Sequence, residues 1–271
     1  MAVISISRGT FSGGKAIAEK VAARMQYPCV SREMMLEDAA NDFGVTEAHL
    51  DHVVNERPKP WQQNRDRRSA YLNFIRAALL RRSKEGKLVY HGHAGHLLLT
   101  GVANILRVRV IASEAWRIDA AMQDFNIDRK AAKAVVKKDD AHTIKWTRFL
   151  YGVEWDDPFL YDLVLNLEQV SIDTAVSAIV QMAQTDDFKP NDAFHSTFDN
   201  QMLSSMVWCA LAKADLTTAA DVSIEAEDGV VIISGTSQSD QQADTIIEAA
   251  QKTDGVKDVI SKMRVGTKWY W

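Results

Sequence analysis

The first 183 residues alternate short β-branched stretches with stretches of helical periodicity. The pattern predicts strands over 3–7, 88–90, 106–111 and 160–167, and helices over 15–25, 64–84, 128–138, 141–151 and 171–183. The helix over 15–25, for example, places Ile17 and Val21 on one side and Lys20 and Arg24 on the other. Strands that alternate with helices favour a parallel sheet with helices on both faces, so an α/β fold is predicted.

The order of elements changes after a polar, turn-rich segment over 184–196, which is predicted to be a linker. Beyond it the pattern predicts a helix over 199–213, strands over 222–226 and 230–234, a helix over 240–253 and a strand over 256–265. Asp228-Gly229 between two alternating runs indicates a hairpin. The sequence therefore predicts two domains, an α/β domain over 1–183 and a small α+β domain over 197–271.

A glycine-rich motif, Gly9-Thr10-Phe11-Ser12-Gly13-Gly14-Lys15, lies between the first predicted strand and the first predicted helix. Its spacing and position are those of a phosphate-binding loop. Glycines let backbone N–H groups turn inward, the helix N-terminus adds about half a positive charge, and Lys15 neutralises the outer phosphates. The motif predicts ATP binding through Gly9, Thr10, Ser12, Gly13, Gly14, Lys15 and Ala16. The alternative is a turn that only joins strand to helix.

Ala16 occupies the position where such loops usually carry a Ser or Thr whose hydroxyl contacts Mg²⁺. Magnesium would then be held by other groups, or by phosphate oxygens and water alone. ATP and Mg²⁺ are the expected cofactors.

Charge is distributed unevenly along the chain. The net charge is −4, but residues 191–271 carry −6 and the residues before them carry +2. This balance argues against nucleic acid as the main partner and places any basic site in the first domain.

The start MAVISIS does not have the pattern of an export signal, and no apolar run reaches the length of a membrane span. The two cysteines lie far apart in the sequence, which fits a reducing compartment. A cytoplasmic protein is expected.

Cationic side chains in the first domain are candidates for a phosphate site. They are Arg8, Arg32, Arg68, Arg117, Lys137, Lys138, Lys145 and Arg148. For each of them, and for the basic stretch over 57–87, the alternative is a solvated surface charge.

Three histidines lie close together in the segment HGHAGH, as His91, His93 and His96. On a strand, alternation places His91 and His93 on one face, as a metal site needs. No cysteine or acid lies within the segment HGHAGH itself, so a pocket-lining role is preferred and no metal ligand is predicted.

Three segments, ISISRGTFSGGKAIAEKVAARM, SREMM and WDDPFLYDLVLNLEQVSIDTAVSAI, resemble the cytidylate-kinase-like branch of the nucleoside monophosphate kinases over residues 1–183. The resemblance implies a nucleotide substrate and transfer of the γ-phosphoryl group of ATP to CMP or a related acceptor. It also implies a lid rich in Arg and Lys. On this basis Lys15, Lys138 and Arg148 are the expected catalytic cations. Arg117 is expected at ATP, and Arg8, Arg32 and His93 at the acceptor. In the basic stretch over 57–87, Arg68, or Arg65 in its place, is expected near the acceptor phosphate or a nucleic-acid backbone.

Several positions depart from that family's pattern. Ser31 replaces a common Asp, His93 lies where a Gly-Arg-Gly sequence is common, and His142 replaces an arginine of the lid. A neutral histidine has neither the fixed charge nor the bidentate geometry of arginine. Together with Ala16, these departures keep a second hypothesis open, a nucleotide-binding regulator without transfer activity. A third hypothesis is a scaffold in which the C-terminal domain carries the function.

The C-terminal sequence VSIEAEDGVVIISGTSQSDQQADTIIEAAQKTDGVKDVISKMRV resembles a BON domain from about residue 197 to 266, with Gly229, Gly235 and Gly255 at its turns. The resemblance implies binding to lipid surfaces or to proteins, and the local charge of −6 disfavours an anionic membrane. A protein partner or a second copy of the chain is expected. The final residues Lys268-Trp269-Tyr270-Trp271 are predicted to pack on the chain itself or to contact a partner.

Overall fold

Five parallel strands form a sheet in the computed structural model. The alternating pattern predicts the parallel sheet and four of its strands, but not the short strand Cys29–Ser31. The five strands are β1 (Val3–Arg8), β2 (Cys29–Ser31), β3 (Leu88–Gly92), β4 (Ile105–Ile111) and β5 (Leu163–Asn166), in the spatial order β2-β3-β1-β4-β5. The helices that connect or follow these strands are α1 (Gly14–Met25), α2 (Arg32–Phe43), α3 (Arg65–Ser83), α4 (Gly95–Leu98), α5 (Glu114–Phe125), α6 (Arg129–Tyr151) and α7 (Ile172–Ala183). The structure describes residues 2–44, 65–92, 95–216 and 221–266, with the backbone only for residues 65–71, 146, 149, 150 and 221.

One face of this sheet is apolar and packs on α1 and α7. Ile4 on β1 and Leu106 on β4 are fully buried there, against Ile17 of α1 and Ile179 of α7. Burying each such side chain stabilises the fold by about 1.5–3 kcal/mol relative to leaving it exposed to water. This hydrophobic layer fixes α1 on the sheet and so determines where its N-terminus lies.

The opposite face of the sheet carries polar side chains toward its carboxyl end. The register places Ser5 between Tyr90 and Arg107, and Ser7 beside Arg109. Helix α4 covers part of this face, because a Cβ on Gly95 would overlap the Tyr90 ring. Helices therefore lie on both faces, and the predicted α/β fold class is confirmed.

The turn from β1 into α1 requires glycine at two positions. Gly13 has a φ of +77°, a left-handed conformation that L side chains rarely adopt. A Cβ on Gly14 would overlap the Cβ of Arg8. Gly9 is different, since a Cβ there would meet no atom closer than 3.6 Å. The close approach of α1 to the end of β1 thus depends on the last two glycines of the motif.

Three predicted elements of this part of the chain need correction. The helices predicted over 128–138 and 141–151 are one helix, α6, because no glycine or proline interrupts residues 139–140. Asp128 caps it by accepting a 2.8 Å hydrogen bond from the N–H of Ala131. The strand predicted over 160–167 is shorter, since Asp157 and Pro158 start a 3₁₀ turn over Pro158–Leu160.

A second sheet has three strands, β6 (Asp221–Glu227), β7 (Val230–Ser237) and β8 (Asp258–Val265), in that spatial order. The β6–β7 pair is antiparallel and the β7–β8 pair is parallel. Asp228 and Gly229 both have positive φ, as a type I′ hairpin needs, so the predicted hairpin is confirmed. The separate small α+β fold predicted for the C-terminal part is confirmed as well.

Two helices, α8 (Asp192–Lys213) and α9 (Asp240–Gln251), accompany this sheet. Val207 of α8 and Ile246 of α9 are fully buried against Val231 and Ile233 of β7. Helix α8 begins seven residues before the predicted start at 199, because Phe194 and Phe198 extend its buried side by a turn.

Contacts group the chain into two compact units. The first comprises residues 1–34, 82–100 and 104–191, and the second comprises residues 35–81, 101–103 and 192–271. In the second unit Phe43 of α2 stacks on Phe74 of α3 with ring centroids 4.5 Å apart, and Arg81 forms an ion pair with Asp42. The predicted domain boundary at 184–196 stays a prediction. None of the helices in the described part of the chain combines the length and the hydrophobicity of a membrane-spanning segment.

Because a methyl group fits at Gly9 but not at Gly14, alanine is expected to cost more stability at Gly14 than at Gly9. Gly14→Ala is expected to lower the free energy of unfolding by about 1–3 kcal/mol, because the new methyl group overlaps Arg8. Gly9→Ala is the matched control in the same loop and is expected to change stability by less than about 1 kcal/mol. Urea denaturation of the two variants tests this, and equal losses of stability would contradict the described turn.

Candidate functional site

The loop over residues 9–15 ends at a helix N-terminus whose N–H groups lack a side-chain cap. Gly13 is the N-cap residue of α1 and offers no side chain to bond these groups. The first N–H groups of a helix have no intrahelical partner, so they are suited to bind an anion. The Ser12 hydroxyl in the same loop is 1% exposed and has no hydrogen-bond partner among the described residues. The loop therefore presents donors that a phosphate group would satisfy.

Lys15 extends from this helix end toward solvent. Its side chain is 65% exposed, and its Nζ lies 3.9 Å from a carboxylate oxygen of Glu19. An exposed ion pair of this length is weak, so the lysine can exchange Glu19 for a phosphate at little cost. Ala16 follows it and has no side-chain oxygen to bind a metal ion.

A cavity of about 280 Å³ adjoins the loop. Its lining residues are Gly9, Ser12, Arg109, Ile111, Ala112, Arg117, Asp140, Ile144, Trp155 and Asp156. Arg109 is held by aromatic stacking, with its guanidinium carbon 4.6 Å from the Trp155 ring centroid and 5.5 Å from that of Tyr161. The Arg109 Nε is buried and has no hydrogen-bond partner within the described part of the chain. The cavity thus contains an immobilised cation with a donor available.

Arg117, predicted at the ATP site, also lines this cavity. Its Nη1 and Nη2 donate to the two carboxylate oxygens of Asp140 at 2.8 and 2.6 Å. The side chains of Arg117 and Asp140 are 14% and 28% exposed, and the bonds to Asp140 raise the pKa of the guanidinium. Arg117 Nη1 lies 3.7 Å from where a Cβ on Gly9 would stand. The predicted position of Arg117 beside the loop agrees with this geometry, and its role stays a prediction.

Phe11 connects the loop to helices α5 and α6. Its φ is +57°, and its ring meets Phe125 edge to face at a centroid distance of 5.2 Å. The ring packs on a buried cluster that includes Ile118 of α5 and Val136 of α6. Movement of this helix pair would therefore displace the middle of the loop.

Arg8 and Arg32, the predicted acceptor residues, lie near Tyr90 at the carboxyl end of the sheet. Burial raises the pKa of Tyr90 to about 12, while the charges of Arg32 and Arg8 act in the opposite direction. Burial also raises the pKa of Glu33, but the Ser31 hydroxyl, its own backbone N–H and both arginines outweigh that effect and lower it overall. The arginines and an ionised Glu33 thus form one charged group. Arg68 has no described side chain and His93 lies outside the described residues.

The predicted lid cations are not part of this cavity lining. Lys138 is exposed on α6, as are Lys137 and Lys145. Arg148 is 61% exposed and donates from Nε and Nη2 to Glu154, both at 2.6 Å. The catalytic roles of Lys138 and Arg148 stay predictions.

His96 is buried beside the cavity wall in an uncharged form. It is 4% exposed, its ring centroid lies 4.7 Å from that of Tyr161, and neither ring nitrogen has a partner among the described residues. Burial lowers the pKa of His96 to about 4, and the charges of Arg107 and Arg109 contribute. Burial, together with Arg8, likewise lowers the pKa of His91. No group of three potential metal-ligating side chains occurs in the described residues.

The sequence interpretation missed Arg109, Trp155 and Asp140. A signal for Arg109 is present in Leu106-Arg107-Val108-Arg109-Val110, where two arginines alternate with buried residues on a strand. Because β4 lies next to β1, its arginine-bearing face ends beside the loop.

The buried histidines predict a pH dependence of stability. Between about pH 4 and 6.5 the unfolded chain binds a proton at His96 that the folded chain does not. Stability therefore falls as the pH drops through this window, by up to about 1.4 kcal/mol per pH unit for that residue. His96→Gln is expected to flatten the slope, and His195→Gln, at an exposed position on α8, is the control substitution. Urea denaturation at several pH values tests this, and equal slopes in all three proteins would contradict it.

Comparison with known proteins agrees with both resemblances. The profile of the cytidylate kinase-like family matches residues 3–169, and that of the BON domain matches residues 199–267. The cytidylate kinase of Pyrobaculum arsenaticum is 20% identical over 185 residues, covering 68% of this chain and 94% of that protein. The cytidylate kinase of Pyrobaculum aerophilum is 22% identical over 176 residues, covering 65% of this chain and 89% of that protein.

A solved structure shows the same fold. An uncharacterized protein from Eubacterium ventriosum aligns with a TM-score of 0.52 and 21% identity, over 68% of this chain and 99% of that one. The family match covers more than half of the residues. The chain belongs to the cytidylate kinase-like family, and a BON domain follows the kinase-like part.

Proposed function

We propose that this chain transfers the γ-phosphoryl group of ATP to a nucleoside monophosphate, with CMP as the first acceptor to test. The observation that carries the proposal is the uncapped N-terminus of α1 beside a cavity that contains Arg109 and Arg117. Unbonded donors and fixed cations around one cavity favour a polyphosphate over a neutral ligand.

The proposed reaction needs no general base. An oxygen of the acceptor phosphate attacks the γ-phosphorus, a new P–O bond forms, and the bond from that phosphorus to the β–γ bridging oxygen breaks. ADP leaves with the electron pair of the broken bond. Most of the catalytic work is positioning and neutralisation of charge on the transferred group.

Different described residues would bind the phosphates of ATP and the phosphate of the acceptor. The N–H groups at the start of α1 would hold the β- and γ-phosphates, and Lys15 would reach the outer oxygens from the same helix end. Arg109 is already fixed by Trp155, so it would bind charge without losing much side-chain freedom. Arg8 packs against Gly14 on the sheet and, with Arg32, would hold the acceptor phosphate.

Magnesium supplies charge neutralisation in reactions of this class. Ala16 offers it no hydroxyl, and the described residues contain no cluster of acidic, histidine and cysteine side chains that would hold a metal ion. Phosphate oxygens and water are therefore its proposed ligands, and no step above depends on a protein ligand to the ion.

A nucleotide-binding regulator is the second candidate, and one specific feature favours it. Arg117 and Arg148, both predicted to act on phosphate, bond the carboxylates of Asp140 and Glu154. Phosphate must compete with these carboxylates for each guanidinium. If it loses the competition, ATP would bind at the loop without efficient transfer, and the BON domain would pass the bound state to a partner.

Lys15→Ala is expected to lower kcat/KM for ADP formation by about 10²-fold or more, because a cation near the developing charge is lost. The assay couples ADP release to a spectroscopic signal, with CMP, dCMP, UMP and AMP as acceptors. Lys20→Ala is the matched control, since Lys20 lies on the same helix but bonds Asp173 away from the loop. It is expected to retain activity within about twofold.

Absence of turnover with every acceptor would contradict the transfer proposal. Calorimetric titration with ATP then separates the candidates: binding that Lys15→Ala weakens supports the regulator, and no binding rejects both.

A further inference from the structure

Strand β8 is an edge strand with an exposed surface. It lies last in the sheet order β6-β7-β8, with β7 as its strand neighbour in the described part of the chain. Six of its eight residues are exposed, including Ile260 at 44% and Val265 at 51%. An edge with apolar side chains is a site where another strand can add, unless charges or a cover prevent it.

The side chains of β8 divide into two rows. Val259 and Met263 pack toward the core under α8 and α9. Asp258, Ile260 and Lys262 alternate with them and therefore lie on the outer face of the sheet, and all three are exposed. The outer row thus reads acid, apolar, base over residues 258–262, and the exposed base Arg264 follows in the same row.

The part of this row over residues 258–262 is complementary to itself when the strand direction is reversed. In an antiparallel pair of β8 strands centred on Ile260, the two Ile260 side chains face each other. Asp258 of each copy then lies opposite Lys262 of the other, which gives two equivalent ion pairs. Directly opposite residues in such a pair have Cβ atoms about 4.5–5.5 Å apart, close enough for these contacts.

The other edge of the same sheet lacks this property. Strand β6 presents the exposed acids Glu225 and Glu227 on the outer face. Pairing of two β6 strands centred on Glu225 or Ala226 would oppose carboxylates, which is destabilising. The charges therefore select β8 over β6 as the edge that pairs.

We propose that two copies of this chain associate through their BON domains by antiparallel pairing of β8 with β8. The pairing joins the two three-stranded sheets into one six-stranded sheet around a twofold axis at Ile260. A twofold contact of this kind closes on itself and gives a dimer, not a filament. The inference does not depend on the proposed phosphoryl transfer.

A charge exchange in the full-length chain tests the pairing. Asp258→Lys and Lys262→Asp each turn both ion pairs of the dimer into pairs of like charge. Each is therefore expected to raise the dissociation constant of the dimer roughly tenfold or more. The double variant restores opposite charges and is expected to return to the parent's dissociation constant. Sedimentation velocity over a concentration series measures this, with Glu225→Lys on β6 as the matched control that leaves dimerisation unchanged.

A cysteine pair tests the register. Ile260→Cys is expected to give a disulfide-linked dimer on mild oxidation, whereas Ser261→Cys is not, because Ser261 would face Val259 of the other copy.

Circular dichroism checks that every variant is folded. A parent chain that stays monomeric at all concentrations would overturn the proposal. Three other results would also overturn it: single charge variants that dimerise like the parent, a double variant whose dimer is no stronger than that of the single variants, and more cross-linking through residue 261 than through residue 260. ADP formation by the monomeric variants is measured in parallel, so a failure of transfer is distinguished from a failure of pairing.

Discussion

The close packing of the start of α1 on the end of β1 is the constraint on which the site depends. Gly14 lies against the Cβ of Arg8, and Gly13 turns through a left-handed conformation to make this approach possible. The apolar contacts of Ile17 with the sheet hold the helix in that position. As a result the uncapped N–H groups of α1 point into the region where the carboxyl ends of the central strands also deliver their polar side chains.

Electrostatic balance is the second feature of the site. Its arginines are held by neighbours of two kinds: aromatic rings hold Arg109, and a carboxylate holds Arg117. The first arrangement leaves the guanidinium charge available to a ligand, while the second requires an exchange of Asp140 for phosphate. The neutral His96 beside Tyr161 adds no charge to this balance near pH 7. Binding of an anion is therefore favoured by some of these groups and opposed by Asp140.

Local patterns in the sequence were sufficient for four of the five strands of the parallel sheet, for the loop and for the hairpin of the BON domain, because β-branched runs, glycine spacing and Asp-Gly are local signals. The three-residue strand β2 was missed because it is too short to show such a pattern. The cavity was only partly predictable. Arg117 was found from its charge, but Arg109 and Trp155 meet through the order of strands and a long connection, which no local spacing reveals. Lys138 and Arg148 carry the right charge, yet their positions on α6 follow from its unbroken course to Tyr151, which the sequence interpretation had divided.

The most direct measurement is a crystal structure of the full chain with a non-hydrolysable ATP analogue and Mg²⁺. The account predicts that β- and γ-phosphate oxygens lie within about 2.7–3.2 Å of backbone nitrogens at residues 13–16, with the Ser12 hydroxyl bonded to one of them. An analogue bound elsewhere, or a loop whose N–H groups bond the protein's own side chains while the analogue is present, would contradict it.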